Sequence, residues 1–243
     1  MVQWVDTSGQ DHTITTHNSP TESTDTPSGF SGYSTDLNGS NQYLSIADHS
    51  DFDFGSSTDF TLDCWVKFDV LQICGFIQKF NYDNSPAAYY GYQFDIHTGV
   101  NLFRLSLGSG SSYKTLTSSW TASTATWYHL AFVREGTDIS LYKDGSRMNT
   151  TTGTYNVDTS YDVKIGVLSF DLGTPGNYYL NGKIFLPRIT ASALFSGTTY
   201  TVPTISDYNE TGQKLLVEVQ AEHKKIYPVN NPLSGNLTNL GVF

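Results

Sequence analysis

The sequence predicts an all-β protein: a two-sheet antiparallel β-sandwich of jelly-roll type, with little helix. Three observations carry this. Short runs rich in Tyr, Phe, Val and Ile recur along the chain, broken by Gly, Asn, Asp and Ser at roughly 8–12-residue intervals. Charged residues are 15% of the 243, against about 25% in an average soluble domain, a balance that favours strands and turns. No apolar stripe of helical period extends beyond about two turns.

In chain order, Val2-Gln3-Trp4-Val5 and His12-Thr13-Ile14-Thr15 are short apolar runs in a Ser/Thr/Pro-rich stretch, so residues 1–35 read as edge strands or an arm. Asp36 to Ile46 is strand, Asn-Gly turn, strand. Asp51-Phe52-Asp53-Phe54-Gly55 reads as a helical turn that plugs the sandwich with two Phe rings. Phe60 to Phe68 alternates cleanly, with Phe60, Leu62, Cys64, Val66 and Phe68 on one face. Ile73 to Phe80, Tyr89 to Ile96, Leu102 to Leu107 and Tyr113 to Thr117 continue as strands.

Trp127 to Arg134, Glu135 to Asp138 and Ile139 to Lys143 form a strand, a turn and a strand expected deep in the sandwich, so Trp127→Ala is expected to unfold it. Asp144-Gly145 is a strong hairpin signal, because a type I′ turn needs positive φ at both central positions. Ser146 to Thr152, Val163 to Val167 and Tyr178 to Ile189 complete the strand pattern, and Ala191 to Phe195 reads as one helical turn. Residues 1–204 are therefore expected as the sandwich, and 205–243 as a C-terminal extension for anchoring or oligomerisation. Within that extension Lys214 to Val219 is a further strand candidate, and its apolar end suits docking in cis or in trans.

The net charge of −10 comes mainly from Asp, since Glu occurs only as Glu22, Glu135, Glu210, Glu218 and Glu222. A pI near 4.8 argues against nucleic acid or an anionic membrane surface as direct partner. No apolar run approaches the ~20 residues of a membrane span. Met1 to Asp6 has neither a basic nor an apolar signal region, so synthesis in a cytoplasm without export is expected. Cys64 and Cys74 would lie nearly opposite each other if their strands paired as a hairpin about Asp69. A disulfide is then geometrically possible, but two buried free thiols are the favoured reading.

Five segments together resemble the laminin-G-like, concanavalin A-like lectin/glucanase superfamily, and within it the jelly-roll domains of phage and marine-virus structural proteins. They are Leu37-Asn38-Gly39-Ser40-Asn41-Gln42-Tyr43-Leu44, Phe60 to Lys67, Trp127 to Arg134, Leu141-Tyr142-Lys143-Asp144-Gly145, and Asn181-Gly182-Lys183-Ile184 with Arg188-Ile189. The resemblance spans roughly residues 2 to 204. It departs from the family at Phe185-Leu186-Pro187, where relatives carry an acidic pair. This fold hosts lectins, hydrolases and spacers alike, so it implies an architecture before a function.

Glucanases of this fold place catalytic carboxylates as a Glu-x-Asp-x-x-Glu run, and no such run exists here. Asp51, Asp53 and Asp63 read as turn and surface residues. There is no Gly-x-Ser-x-Gly elbow, and His129, inside a strand, reads as structural. His12, His17, His49, His97 and His223 show no metal-ligand spacing. The pentraxin branch implies Ca2+ at Asp83, Asn84 and Asp171, in loops expected after Phe80 and before Tyr178. Tyr82, Tyr89, Tyr90, Tyr178 and Tyr179 are glycan-stacking candidates beside those loops.

The resemblance thus implies a non-enzymatic virion surface protein that contacts host surface glycans or other virion proteins, as a homo-oligomer on a capsid or tail. The alternative is a soluble or cell-surface, calcium-dependent polysaccharide lectin outside the cell. A glycoside hydrolase or lyase is the third class.

Overall fold

The structure is a computed structural model that describes residues 2–84, 87–97, 102–169, 178–208 and 212–221. Among them the strands run β1 (Val2–Asp6), β2 (Ile14–His17), β3 (Thr21–Ser23), β4 (Ser34–Asn38), β5 (Tyr43–Ile46), β6 (Phe60–Val70), β7 (Cys74–Asn84), β8 (Ala87–His97) and β9 (Leu102–Gly110). They continue as β10 (Ser112–Ser119), β11 (Trp127–Glu135), β12 (Asp138–Lys143), β13 (Ser146–Thr152), β14 (Val163–Ile165), β15 (Val167–Leu168), β16 (Tyr178–Tyr179), β17 (Asn181–Thr190) and β18 (Gln213–Ala221). One sheet has the order β1-β18-β17-β6-β11-β12-β13, with β4 and β3 added beside β17. The facing sheet has the order β10-β9-β8-β7-β14-β5-β2. The two-sheet antiparallel sandwich expected from the sequence is what forms. No helix among the described residues is long and apolar enough to cross a membrane.

Alternation builds the core. Phe60, Leu62, Cys64, Val66 and Phe68 project inward from β6, and Leu130 and Phe132 from β11. Phe76, Phe94, Phe103 and Leu105 meet them from the facing sheet. Phe52 and Phe54, around a 3-10 turn at Ser50–Phe52, are buried as the expected plug. Arg134, at the end of β11, secures that plug. Its guanidinium donates to the carbonyls of Phe54, Gly55, Thr58 and Tyr155 at 2.6–3.0 Å. Burial lowers its pKa to about 10. Asp144 and Gly145 both take positive φ (47° and 82°), as the turn demands.

The middle of the outer face of the nine-stranded sheet is covered. Phe195 and Tyr200 cover Ala131, Val133 and Tyr142, while Phe30, Leu186 and Tyr208 pack with Trp65 and Trp127. Under this cover lies Asp63, fully buried. Arg188 Nε donates to its Oδ1 at 2.8 Å and Nη2 to its Oδ2 at 3.0 Å. His129 Nε2 lies 3.1 Å from Oδ2, and His129 Nδ1 meets the Tyr200 hydroxyl at 2.5 Å. Burial pushes the Asp63 carboxyl up, but Arg188 and His129 outweigh it and hold it below its ordinary value.

Several expectations are corrected. Asp63 is a buried hub, not a surface residue, because other segments cover the polar side of β6. Cys64 and Cys74 are free buried thiols, the favoured reading, but the hairpin that would have paired them does not form, since β6 and β7 belong to opposite sheets. Trp127 is half-buried on the outer face, where Nε1 donates to Asp25 at 3.0 Å, so its removal thins the cover rather than the core. Ala191 to Phe195 forms bends instead of a helical turn. Residue 204 is no boundary either. β18 lies between β17 and β1, pairing Arg188 with Leu216 and Trp4 with Val219, so residues 213–221 pack in cis. Residues 222–243 lie outside the described set.

Asp63→Asn leaves Arg188 buried without its counter-ion and should cost about 3–5 kcal/mol in urea denaturation at neutral pH. A carboxyl whose folded pKa is lowered contributes fully above its unfolded pKa and loses that contribution as pH falls through the folded value. The stability gap between wild type and variant should therefore narrow below about pH 4. A gap that widens on acidification contradicts the assignment.

Candidate functional site

With the middle of one face covered, the outer face of the seven-stranded sheet is the surface to consider. On β8, Tyr92, Phe94 and Ile96 enter the core, so Tyr89, Gly91, Gln93 and Asp95 project the other way. Strand register then assembles a polar row across the sheet. Gln93 stands opposite Ser106 and Gln78, and Ser106 opposite Thr115. Gln78 stands opposite Lys164, Lys164 opposite Ser45, and Ser45 opposite Thr15. Seven strands spaced about 4.8 Å apart make this row roughly 29 Å long.

Aromatic clusters flank the row near both ends. Tyr89 and Tyr113 stack with centroids 4.1 Å apart and planes 21° off parallel. Phe80 lies 6.4 and 6.2 Å from them. The Tyr113 hydroxyl donates to Ser106 Oγ at 3.0 Å. The rings meet over β9 because Gly108 lies between them; a Cβ there would fall 2.7 Å from that of Tyr89. At the far end His17 stacks on Tyr43 at 4.0 Å, Tyr179 lies 6.2 Å from Tyr43, and His17 Nε2 is 2.8 Å from Ser45 Oγ. Burial and the nearby Lys164 charge hold the His17 pKa down.

The middle of the row is partly covered. Val167–Ser169 crosses it, and Gln78 exchanges two 3.1 Å hydrogen bonds with the Ser169 backbone. Lys164 Nζ donates to Ser169 Oγ at 3.2 Å. Beyond Gln93, Asp95 accepts from Arg104 Nε (3.0 Å) and Nη2 (3.1 Å), and from Gln93 Nε2 (2.7 Å). Burial nonetheless raises the Asp95 carboxyl pKa, against the Arg104 charge. Gln93 Oε1 is buried without a hydrogen-bond partner among the described residues, an acceptor whose position in a polar row suits a buried water.

The sequence-predicted residues scatter around this face. Tyr89 is in the stack, whereas Tyr90 points to the other side of β8 and is exposed. Tyr178 is exposed on β16, and Tyr179 belongs to the His17–Tyr43 cluster. The loop expected after Phe80 is strand: the backbones of Tyr82, Asp83 and Asn84 pair with Tyr89, Ala88 and Ala87 at the end of β7. The side chains of those three, and all of Asp171, lie outside the described residues. Gln78, Gln93, Asp95, Arg104, Ser106 and Tyr113 were not singled out from sequence. The visible signal was the run Tyr92-Gln93-Phe94-Asp95-Ile96, polar at every second position within an otherwise apolar strand.

The family described as the concanavalin A-like lectin/glucanases superfamily, Laminin_G_3, matches residues 38–197. No curated protein matches the chain. Among solved structures, the binding domain of Paraclostridial Mosquitocidal Protein 1 is similar at 15% identity and TM-score 0.60, covering 79% of this chain and 47% of that one. The binding domain of Botulinum Neurotoxin DC in complex with SialylT is similar at 13% identity and TM-score 0.55, covering 79% and 46%. Domain 4 of AbnA, a GH43 extracellular arabinanase from Geobacillus stearothermophilus, in complex with arabinotriose, is similar at 19% identity and TM-score 0.53, covering 78% and 87%. The chain thus spans just under half the length of the toxin binding domains, and these likenesses establish the lectin-like fold.

A carboxyl whose folded pKa is raised favours the folded state below its unfolded pKa, and that contribution is lost as pH rises through the folded value. Asp95→Asn should therefore flatten the dependence of Tm on pH from about pH 4 upward. An unaltered slope across that window would show that Asp95 titrates normally.

Proposed function

The chain belongs to the concanavalin A-like lectin/glucanase superfamily, and we propose that it is a non-catalytic module that binds a polysaccharide chain on the outer face of its seven-stranded sheet. The observation that carries this is the polar row flanked by stacked aromatic rings. A sugar chain offers hydroxyls to the partly exposed Thr and Arg side chains, and its C–H faces suit Tyr rings. Because Val167–Ser169 covers Gln78, the open margin is at β9 and β10, where Tyr113, Thr115, Thr117 and Arg104 stand in front of buried Ser106 and Gln93.

Catalysis by this face is disfavoured on chemistry. Glycosidases need two carboxylates about 5–10 Å apart, and Asp95 is committed to Arg104 and Gln93. The described glutamates, Glu22, Glu135 and Glu218, all sit in the nine-stranded sheet. Support also comes from the similar solved domains, one with arabinotriose and one with SialylT.

The setting on a phage particle, facing host surface glycans, rests on the five-segment resemblance, and mass spectrometry of purified particles tests it. Calcium at Asp83, Asn84 and Asp171 is a separate proposal with the same support, tested by calorimetry with Ca2+ alone.

A polysaccharide and glycan array is the decisive measurement. Binding to at least one glycan class is expected, and Tyr113→Ala should weaken it by about tenfold, or roughly 1.4 kcal/mol, with an unchanged circular dichroism spectrum. Silence across the array, or full binding by the variant, would overturn this reading.

A further inference from the structure

His12 and His49 are far apart in sequence, yet the fold brings them to one point. After β1 the chain turns back through Ser8 to Asp11, and His12 returns against Asp6. Asp6 Oδ2 accepts from the His12 backbone N–H at 3.1 Å and lies 2.8 Å from His12 Nδ1. Its Oδ1 accepts from the backbones of Ser8 and Leu216 at 3.0 and 3.1 Å. With this carboxylate on Nδ1, the neutral imidazole carries its proton there and turns the Nε2 lone pair away from Asp6. The His12 side chain is 8% exposed, and Nε2 is buried without a hydrogen bond.

That nitrogen lies 3.4 Å from Asp51 Oδ2, and His49 Nδ1 lies 3.1 Å from the same oxygen. One ligand atom from each of the three residues falls within 4.8 Å of the others. The second Asp51 oxygen is occupied, accepting from Lys214 Nζ at 2.8 Å.

We propose that His12, His49 and Asp51 form a site for a divalent transition-type metal ion, with Zn2+ the best fit. Two imidazoles and a carboxylate select such an ion over Ca2+ or Mg2+, which prefer all-oxygen shells. Ligand atoms about 2.0–2.2 Å from a tetrahedral Zn2+ stand roughly 3.4 Å apart, which the two measured separations approach. His49 is 53% exposed on its side chain, so there is room on the solvent side for its ring, now edge-on to that of His12, to turn and close the third edge. In doing so it would give up the 3.2 Å bond that Nδ1 accepts from Asp51 N–H. Asp6 behind His12 supplies the outer acceptor to which a metal-bound histidine almost always donates its other N–H. A water would complete the tetrahedron. The ion would fasten the turn after β1 to the 3-10 turn at Ser50–Phe52 and, through Asp51 and Lys214, to β18.

The competing arrangement is a doubly protonated His12 bridging Asp6 and Asp51, which binds no metal. Calorimetry of the full chain with ZnCl2 alone separates the two, with CoCl2 absorption reporting coordination. One equivalent of Zn2+ per chain and visible bands of four-coordinate Co2+ are expected. His49→Ala and Asp51→Asn should each weaken binding by about tenfold or more. His49→Ala loses the cap bond to Asp51 N–H, so its metal-free melting temperature should fall by only a few degrees, and calorimetry well below that temperature keeps lost affinity from being ascribed to unfolding. Absence of binding, or undiminished binding in both variants, overturns the proposal.

Discussion

A single buried carboxylate organises this sandwich. Asp63 ties β6 to β17 through Arg188 and to β11 through His129. Through the Tyr200 hydroxyl on His129 and the Asp207 carbonyl on Arg188, it also holds the segment that covers them. Such a cluster adds little stability over an apolar equivalent of the same shape; what it adds is specification, because a charge with one partner misplaced is severely penalised. The bulge between Phe185 and Arg188 follows from this constraint. β17 pairs Phe185 with Trp65 and then Arg188 with Asp63, so Leu186 (φ 48°) and Pro187 are left unpaired. Pro187 has no N–H to lose there, and bulges are where strands accept proline.

Covering the middle of one sheet decides where function can reside. The nine-stranded sheet spends its outer face on Phe30, Phe195, Tyr200 and Tyr208. The seven-stranded sheet carries amides, hydroxyls and charges where strands of this burial ordinarily carry Val or Leu. Two fully buried aspartates mark the contrast. Asp63, with an arginine and a histidine, is held in its charged form, while the pairing of Asp95 with Arg104 and Gln93 does not overcome its burial. Carboxyls perturbed in the second way accompany functional surfaces more often than chance allows.

What could be read from the sequence was what is local. Alternation from Phe60 to Phe68, the Asp144-Gly145 turn and the Phe52/Phe54 plug need only neighbouring residues to be recognised, and each forms as expected. Asp63 was misread because a polar residue on an alternating strand looks solvent-facing until Arg188, Tyr200 and Tyr208 are known to lie over it. The row from Thr15 to Thr115 was invisible for a related reason: seven strands contribute one residue each, and only their register aligns them. Tyr89 was legible as an aromatic candidate, but its partner Tyr113 is reached across β9 by way of Gly108. The His12–His49–Asp51 cluster needs a turn that no spacing rule describes.

The pairing of β1 with β18 has a consequence for how the molecule assembles. Val2 is in register with Ala221 and Trp4 with Val219, the most distant partners in the described chain. Contacts of such separation carry the largest loop-closure penalty and slow folding. The hairpins β7–β8–β9–β10 and β11–β12–β13 join neighbours and can organise early, leaving the β1–β18 edge to zip shut last. Native-state opening is governed instead by local contacts, and here β1 is an edge strand with Trp4 only partly buried, so this edge is prone to open as a unit of low local stability. Amide hydrogens of β18 facing β1 should then exchange sooner than those of β6 or β11. The molecule would breathe at the seam where its first strand meets its last described one.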